Sequence, residues 1–400
     1  MRTPRDSLGV FFIITRKRGR KMKPCIYAKK CGACQYQGIA YEEQLKEKQK
    51  KVNILLKKFG KPEKITGMEN PYFYRNKVHA TLKRLKNGEI ISGIYEEGTH
   101  RVVPINTCQI EDPKANEVVQ TITELAKTFK IKIYNEDSGY GTLRHVLIRT
   151  GRNTGEMLVV LVVAEPIFPS KNNFVKALRE KHPYITSIVL NINVKKTSMV
   201  LGERNITVFG NGYIEDVLCG CRFRISPSSF YQVNPVQTEI LYKKAIDLAE
   251  LTGKERVVDA YCGIGTIGLI SAGKAKEVIS VELNKDAVRD AIGNAKRNQI
   301  KNVRFYQADA GKFLVSMANA QEKVDVVFMD PPRSGSDEAF LKSVLSIKPE
   351  KIVYISCNPE TLARDLQVLT EREYRVTNIC PVDMFPFTEH IEVIAALECK

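Results

Sequence analysis

The sequence predicts an α/β protein of two domains, in which a doubly wound, mainly parallel sheet follows a central α+β domain. From about residue 226 onward, short apolar runs alternate with helical patterns, as they do in a doubly wound sheet. Between 70 and 225 the runs are β-branched and separated by Gly, Asn and Pro, which indicates a largely antiparallel domain. The chain has 400 residues, which is longer than the segment that a single hydrophobic core usually stabilises. We therefore expect a basic disordered tail at 1–21 and domains at 22–225 and 226–400.

The C-terminal domain is expected to contain seven strands, separated by helical patterns such as the one at 284–299. The expected strands are 256–260, 277–282, 302–307, 324–330, 351–356, 374–379 and 391–397. Such sheets bind ligands at the carboxyl ends of their strands, so polar residues directly after each strand are candidates for a site.

The N-terminal part combines one amphipathic helix with several strands. Apolar residues keep helical spacing from Tyr41 to Phe59, and Gly60 and Pro62 end the pattern. We expect this helix, at 41–60, to pack on the C-terminal domain. The clearest strand segments are 146–150, 157–165 and 185–193.

Composition indicates a soluble protein whose partner is a polyanion. Hydrophobic residues make up 43% and charged residues 27% of the chain, and no apolar run approaches the roughly 20 residues that span a bilayer. The net charge is +17, with lysines spread along the chain, which favours a nucleic acid as partner. We expect a cytoplasmic protein without a membrane contact or an obligatory protein partner.

The ten cysteines of this chain argue for roles other than disulfides, which are rare in the cytoplasm. Cys25, Cys31 and Cys34 have the spacing C-x5-C-x2-C, and Cys108 follows a strand-and-turn segment, which makes it a candidate fourth ligand. Four thiolates bind either Zn²⁺ or a 4Fe–4S cluster, and spacing alone does not separate the two.

The segment VVDAYCGIGTIGL, residues 257–269, combines a strand, a glycine-rich turn and the start of a helix. It is neither a Walker loop nor a good dinucleotide fingerprint, and a generic NAD-binding fold is the alternative. Asp259, Glu282 and Asp309 end three successive strands, where Glu282 can bind ribose hydroxyls and Asp309 an adenine amino group. This series resembles class I S-adenosylmethionine-dependent methyltransferases, which implies a Rossmann-like domain and S-adenosyl-L-methionine as the cofactor.

The fourth and fifth strands end in two further motifs, DPPRSG at 330–335 and SCNP at 356–359. DPPR is similar to the D/N-P-P-aromatic motif of amino-directed methyltransferases, with Arg333 in place of the aromatic residue. Cys357 stands between a strand and a helix start. It is either a buried small apolar residue or a nucleophile whose pKa the helix N-terminus lowers.

Four motifs together resemble the RNA uracil-C5 methyltransferase family: SPSSFYQVNPVQ at 226–237, DPPRSG, ISCNP, and MFPFTEHIEVIAAL at 384–397. The resemblance covers nearly the whole chain from Cys25 onward. It implies cofactor contacts at Gln232, Tyr261, Glu282 and Asp330, a nucleophile at Cys357 and a general base at Glu392. Glu389 is the rival for the base.

The chemistry of this family explains why these residue types are needed. A Cys357 thiolate adds to C6 of uracil, C5 takes the methyl group, and Glu392 removes the C5 proton so that the thiolate leaves. A uracil in folded RNA has to leave its stack first, so we expect base flipping. Phe230, Tyr231 and Phe385 are candidates for stacking on the bases, and 72–77 resembles an aromatic-basic RNA contact segment.

Ribosomal members of the family carry a 4Fe–4S cluster on this cysteine pattern, whereas its tRNA members lack the cluster. The resemblance therefore implies a 23S rRNA (uracil-C5)-methyltransferase, of the EC 2.1.1 class, with a cluster on Cys25, Cys31, Cys34 and Cys108. The alternative is a tRNA uracil-C5 methyltransferase. More distant alternatives are an amino-directed methyltransferase and a non-catalytic RNA-binding iron–sulfur protein. We expect the cysteine-bearing domain and the basic surface to hold the RNA, without the further N-terminal barrel of many relatives.

Overall fold

The computed structural model describes residues 24–96, 98–195, 199–371 and 373–400. The tail expected at 1–21 lies outside these ranges. Within them, the framework consists of two seven-stranded sheets and one β-hairpin. None of the helices in these ranges is long and apolar enough to cross a membrane.

The N-terminal sheet is mostly antiparallel, as its β-branched runs predict. Its helices are α1 (Ala28–Cys31), α2 (Tyr41–Leu56), α3 (Pro113–Thr128) and α4 (Lys171–Lys181). Its strands are β1 (Lys77–Arg84), β2 (Ile90–Tyr95), β3 (Val102–Pro104), β4 (Leu143–Thr150), β5 (Met157–Val163), β6 (Ile185–Ile192) and β7 (Arg204–Phe209). The strand order is β3-β2-β1-β4-β5-β6-β7, and β5 and β6 form its parallel pair. A hairpin of β8 (Ile214–Leu218) and β9 (Cys221–Ile225) follows.

The C-terminal sheet is doubly wound, which confirms the predicted fold class. Its strands are β10 (Arg256–Asp259), β11 (Glu277–Glu282), β12 (Val303–Gln307), β13 (Val326–Met329), β14 (Lys351–Ser356), β15 (Tyr374–Val382) and β16 (Glu392–Cys399). Its helices are α5 (Pro235–Leu248), α6 (Thr266–Ser271), α7 (Lys285–Arg297), α8 (Ala310–Asn319), α9 (Glu338–Ile347) and α10 (Pro359–Thr370). The order is β12-β11-β10-β13-β14-β16-β15, with β16 antiparallel to both of its neighbours. The order reverses beside β10, where a doubly wound sheet binds its ligand.

One apolar core joins the two sheets. Leu147 and Val160 of the first sheet belong to the same buried cluster as Val353 of the second, and Phe223 of the hairpin and Leu241 of α5 lie in that cluster too. Burial of side chains such as these removes apolar surface from water and stabilises the junction by about 1.5–3 kcal/mol per residue. The domain boundaries at 22–225 and 226–400 stay a prediction, because this core spans the junction.

Helix α2 packs on the C-terminal sheet although it belongs to the N-terminal part of the chain. Val52 and Leu56 are fully buried in the core on the other side of that sheet. Lys48 Nζ lies 2.6 Å from Asp383 Oδ1, and neither side chain reaches solvent. Lys48 also donates to the backbone oxygen of Phe385, and the Tyr41 hydroxyl donates to Asp383 Oδ2. The α-helix ends at Leu56, and a 3₁₀ turn (Lys57–Phe59) completes the predicted helical segment.

We expect Lys48→Met to lower the free energy of unfolding by about 3–5 kcal/mol, because it leaves the buried Asp383 carboxylate without its cation. Urea titrations followed by circular dichroism measure this loss. The matched control is Lys46→Met on the exposed face of α2, with an expected change within about 0.5 kcal/mol. Equal effects of the two substitutions would contradict a structural role for the buried pair.

Candidate active site

The DPPRSG loop is fixed against α10. Asp365, which is buried in α10, accepts hydrogen bonds from the Ser336 backbone N–H at 2.9 Å and the Tyr354 hydroxyl at 2.6 Å. The Asn358 side chain donates to the Arg333 backbone oxygen. Gly335 has φ +77°, a conformation that glycine adopts without strain. The turn after β13 is therefore held beside the turn after β14.

Cys357 directly follows β14 and is half-buried. Asn358 caps α10 by accepting the Glu360 N–H, so the thiol stands at a helix start as predicted. The predicted lowering of its pKa is wrong for this arrangement. Burial and the nearby Glu392 and Asp330 carboxyls together raise the pKa of Cys357 to about 11, although the Arg333 guanidinium acts in the opposite direction.

Glu392 is the first residue of β16 and only 2% exposed. Its Oε2 atom is buried and has no hydrogen-bond partner in the described part of the chain. Burial and the neighbouring Asp330 raise the pKa of Glu392 well above its ordinary value. Its predicted rival, Glu389, is exposed, and its backbone N–H donates to the Gln35 side chain. Of the two acidic residues, Glu392 is the one that acts electrostatically on the Cys357 thiol.

Two aspartates complete a cluster of acidic groups at the carboxyl edge of the sheet. Asp259 is fully buried, and its Oδ2 accepts the Gly268 N–H at 2.8 Å while its Oδ1 has no partner among the described residues. Burial raises the pKa of Asp330 to about 7, and burial together with the Asp330 carboxyl raises the pKa of Asp259 to about 7. Such a cluster favours a cationic ligand, because a positive charge stabilises the ionised carboxylates.

Tyr242 is a member of this cluster that the sequence did not reveal. It lies on α5 and is buried, and burial together with the Asp330 and Glu392 carboxyls raises its pKa. Nothing in its surrounding sequence separates it from an ordinary core tyrosine. Only the packing of α5 under the sheet edge brings this phenol to the acidic groups.

The remaining predicted cofactor residues lie along the same edge. Glu282 accepts the Gly263 N–H at 3.0 Å and the Asn284 N–H at 2.8 Å, which fixes its carboxylate beside the glycine turn. Asp309 is exposed and caps α8. Tyr261 stacks on Phe340 with ring centroids 5.2 Å apart, and burial raises its pKa to about 12. Gln232 is buried just before α5, and its backbone oxygen accepts from Asn76.

These residues fit S-adenosyl-L-methionine. The unpartnered Asp259 Oδ1 and the acidic cluster suit a sulfonium cation, and Glu282 suits ribose hydroxyls. Gly263 has φ +54°, and a Cβ there would meet no atom within 4 Å, so the turn is open to a ligand. The side chains at successive strand ends thus meet at one edge, as the alternating pattern predicts.

The four predicted cluster cysteines line one cavity of about 550 Å³, namely Cys25, Cys31, Cys34 and Cys108. Burial raises the pKa of three of these thiols, to about 12 for Cys108. Among the residues described, no three His, Cys, Asp or Glu side chains are grouped so that they could hold a metal ion. The shared cavity agrees with the predicted grouping, but a preformed ligand set is not present.

The aromatic candidates separate into buried and exposed side chains. Tyr231 is 4% exposed and its hydroxyl donates to Asp216, so its predicted stacking role is wrong and it belongs to the core. Tyr74 is likewise buried and donates to the Pro386 backbone oxygen. Phe230 is 69% exposed and Phe385 is half-buried in the cysteine-lined cavity, so both remain accessible to a base.

Comparison with known proteins identifies the family to which this chain is similar. Residues 40–400 match the family described as tRNA (Uracil-5-)-methyltransferase. An uncharacterised RNA methyltransferase of Halalkalibacterium halodurans is 42% identical over 98% of this chain and 86% of its own length. One from Caldanaerobacter subterraneus subsp. tengcongensis is 43% identical over 96% of this chain and 86% of its own. The Pyrococcus abyssi tRNA (uracil-54, C5)-methyltransferase, solved with S-adenosyl-L-homocysteine, is 29% identical, with a TM-score of 0.75 over 90% of this chain and 83% of that one.

The buried aspartates predict how stability depends on pH. The pKa of Asp259 is about 7 in the folded protein and about 3.9 in an unfolded chain, so the folded state binds more protons between these values. We therefore expect the free energy of unfolding to fall by about 2–4 kcal/mol per buried aspartate as pH rises from about 4 to about 7.

Asp259→Asn keeps an acceptor for Gly268 and removes the titrating group, so it should flatten this pH dependence. The exposed Asp247→Asn serves as control and should leave the slope unchanged. Urea unfolding at a series of pH values measures both slopes. A pH dependence that Asp259→Asn leaves unchanged would show that Asp259 does not contribute to it.

Proposed function

The chain belongs to the RNA uracil-C5 methyltransferase family and is an S-adenosyl-L-methionine-dependent RNA methyltransferase, and we propose that it methylates C5 of a uridine in 23S rRNA through a covalent bond between Cys357 and C6. The observation that carries this proposal is the meeting of Cys357, Asp330 and Glu392 at one sheet edge. A thiol with a buried carboxyl group beside it is what addition to C6 and removal of the C5 proton require.

Each residue has a defined part in the proposed reaction. The Cys357 thiol loses its proton to water, its sulfur bonds to C6, and the ring electrons move to O4 as an enolate. Gln232, Tyr261, Glu282, Asp309 and Asp330 would hold S-adenosyl-L-methionine, which would supply an electrophilic methyl group to C5 and leave as S-adenosyl-L-homocysteine. Glu392 then takes the proton from C5, and the electrons of that bond expel the Cys357 sulfur from C6. Its raised pKa makes Glu392 a stronger base than an ordinary carboxylate.

Arg333 supports the thiolate. Its guanidinium is exposed beside Cys357 and lowers the pKa of that thiol, against the effect of burial and of the carboxyls. The position that an aromatic residue occupies in amino-directed methyltransferases thus carries a cation here. A cation at this position suits a reaction that begins with a sulfur anion, which favours uracil C5 over an amino nitrogen as the target.

We also propose that Cys25, Cys31, Cys34 and Cys108 bind a 4Fe–4S cluster. All four thiols line the same cavity, and a four-iron cluster holds its thiolates farther apart than a single metal ion does. Burial raises the pKa of Cys34, and Gln37 and Arg75 act against this rise. Methyl transfer needs no electron, so the cluster has a structural part. The cluster also supports 23S rRNA as the substrate, following the family's ribosomal members.

A tRNA uridine is the second candidate substrate. The structural relative from Pyrococcus abyssi acts on uracil 54 of tRNA, and it resembles this chain over most of its length. The chemistry at Cys357 is the same for either RNA. The two substrates therefore differ in which transcript reacts, and this is directly measurable.

We expect a covalent protein–RNA adduct when the protein is incubated with S-adenosyl-L-methionine and a 23S rRNA transcript that contains 5-fluorouridine. The adduct persists because Glu392 cannot remove fluorine from C5 as a cation. Cys357→Ala should give no adduct, whereas Cys380→Ala, a buried thiol elsewhere, should react normally. Denaturing gels with labelled RNA detect the product. An adduct on a tRNA transcript instead of 23S rRNA would favour the second substrate, and an adduct with Cys357→Ala would contradict the mechanism.

With ordinary uridine, Glu392→Gln should accumulate the methylated covalent intermediate and turn over about 10²–10⁴ times more slowly. Glu389→Gln is the matched control, since that side chain is exposed, and should behave as wild type. Release of methylated RNA from each variant is measured over time. Normal turnover by Glu392→Gln would transfer the role of base to Glu389.

Anaerobically purified protein should contain iron and acid-labile sulfide in equal amounts, with the visible absorbance of a 4Fe–4S cluster. Cys34→Ser and Cys108→Ser should lose both, because each removes a cluster ligand. Cys219→Ser, which changes a thiol outside the cavity, should keep them. Zinc without sulfide would contradict the cluster and leave a four-thiolate zinc site.

A further inference from the structure

The cysteine-lined cavity extends well beyond the four thiols. Its volume of about 550 Å³ lies within the range of sites that bind ligands. One wall is β1, which contributes Lys77 and His79. The opposite side includes Thr388 and His390, which lie on the segment that leads into Glu392. The cavity therefore opens between the first sheet and the active site.

Positive charge on the β1 wall is not neutralised by the protein. Lys77 stands directly opposite Arg149 in the β1–β4 pair, and like charges in this position destabilise a sheet. In the described part of the chain, Lys77 Nζ has neither a hydrogen bond nor an ion pair. Burial, Arg149 and Arg75 lower the pKa of Lys77 to about 8, and no carboxylate opposes them. Arg149 is buried, and its side-chain hydrogen bonds to described residues go to the backbone oxygens of Pro227 and Ser229.

The acidic residue in the described lining of this cavity interacts with a different cation. Glu111 also lines the cavity, but its electrostatic partner is Arg75, at the end of the cavity that holds the cysteines. Lys77 and Arg149 lie together without a carboxylate to compensate their charges. Binding of an anionic ligand in the cavity would therefore stabilise this pair.

His79 provides a second, independent indication of a ligand. Its Nε2 atom is buried and has no hydrogen-bond partner among the described residues, although it lines the cavity. Burial and Lys77 lower the pKa of His79 to about 4, so the ring is neutral and can accept or donate a hydrogen bond. Lys77 and His79 share a face of β1, about 6.6 Å apart along the strand. This separation is on the scale of one nucleotide of extended RNA backbone.

We propose that this cavity binds the ribose–phosphate backbone of the substrate RNA next to the flipped uridine, with Lys77 on a phosphate and His79 on a ribose 2′-hydroxyl. The inference rests on the proposed function in so far as it takes RNA as the substrate, but it concerns recognition and not chemistry. The 2′-hydroxyl is the group that distinguishes RNA from DNA, so His79 contributes to the choice of nucleic acid. Phe385 and His390 on the opposite wall connect this backbone site to the base that reacts at Cys357.

The test is equilibrium binding of oligouridylate and oligodeoxyuridylate, each about 12 nucleotides long, at several salt concentrations. Lys77→Met should weaken binding of the RNA about five- to tenfold. It should also reduce the slope of log affinity against log salt concentration by about 0.7, which is the value for one phosphate contact on a single strand. Lys77→Arg should restore most of the affinity, because it keeps the charge. Lys176→Met, on the exposed face of α4, is the matched control and should leave the slope unchanged.

His79→Leu should lower the affinity for oligouridylate severalfold and leave that for oligodeoxyuridylate nearly unchanged, because only RNA has the 2′-hydroxyl. Unchanged affinity for S-adenosyl-L-homocysteine verifies that the variants are folded. Equal salt slopes for Lys77→Met and Lys176→Met would overturn the proposal. Loss of iron from Lys77→Met would also overturn it, since the lysine would then serve the cysteines.

These outcomes are separate from those of the proposed function. A salt slope that depends on Lys77, together with no adduct on any transcript, would remove the covalent mechanism and keep the backbone site. An adduct at Cys357 with a slope that does not depend on Lys77 would remove the backbone site and keep the mechanism.

Discussion

The buried ion pair between Lys48 and Asp383 is the contact on which the position of the proposed base depends. The two residues are 335 positions apart in the chain, and neither reaches solvent. Tyr41 and Gln237 bind the carboxyl group and the backbone oxygen of Asp383, so the start of the segment before β16 is held from two helices. Because this segment leads directly to Glu392, a helix from the N-terminal part of the chain sets the geometry of the C-terminal site.

Crowding of acidic groups determines the electrostatics of that site. Asp259, Asp330 and Glu392 share a sheet edge with little access to water, and each therefore has a raised pKa. Burial, together with Glu392 and Asp330, raises the pKa of Cys357 to about 11, which favours the protonated thiol at neutral pH. The arrangement favours a cationic methyl donor and a strong base, at the expense of a free thiolate. Arg333 opposes this effect from the solvent side.

The continuous apolar core gives the two sheets a fixed relation, and this has a functional consequence. The cavity between them is lined by residues of both, with Lys77 and His79 on one side and Phe385 and His390 on the other. The apolar core thus fixes the separation between the proposed backbone site on the first sheet and the proposed reaction site on the second. In such a protein, loss of packing at the junction would affect substrate positioning before it affected the reacting groups themselves.

Much of the C-terminal domain was determined by local sequence. The strands at 277–282 and 351–356 have the predicted bounds, because a parallel strand buried on both faces is a short apolar run with a clear end. Cys357 at a strand end before a helix also follows from its neighbours in the chain. Tertiary structure alone decided that Tyr231 is buried, that Tyr242 joins the acidic cluster, and that the pKa of Cys357 is raised. Burial and charge at a residue depend on groups far away in the chain, and local patterns contain no information about them.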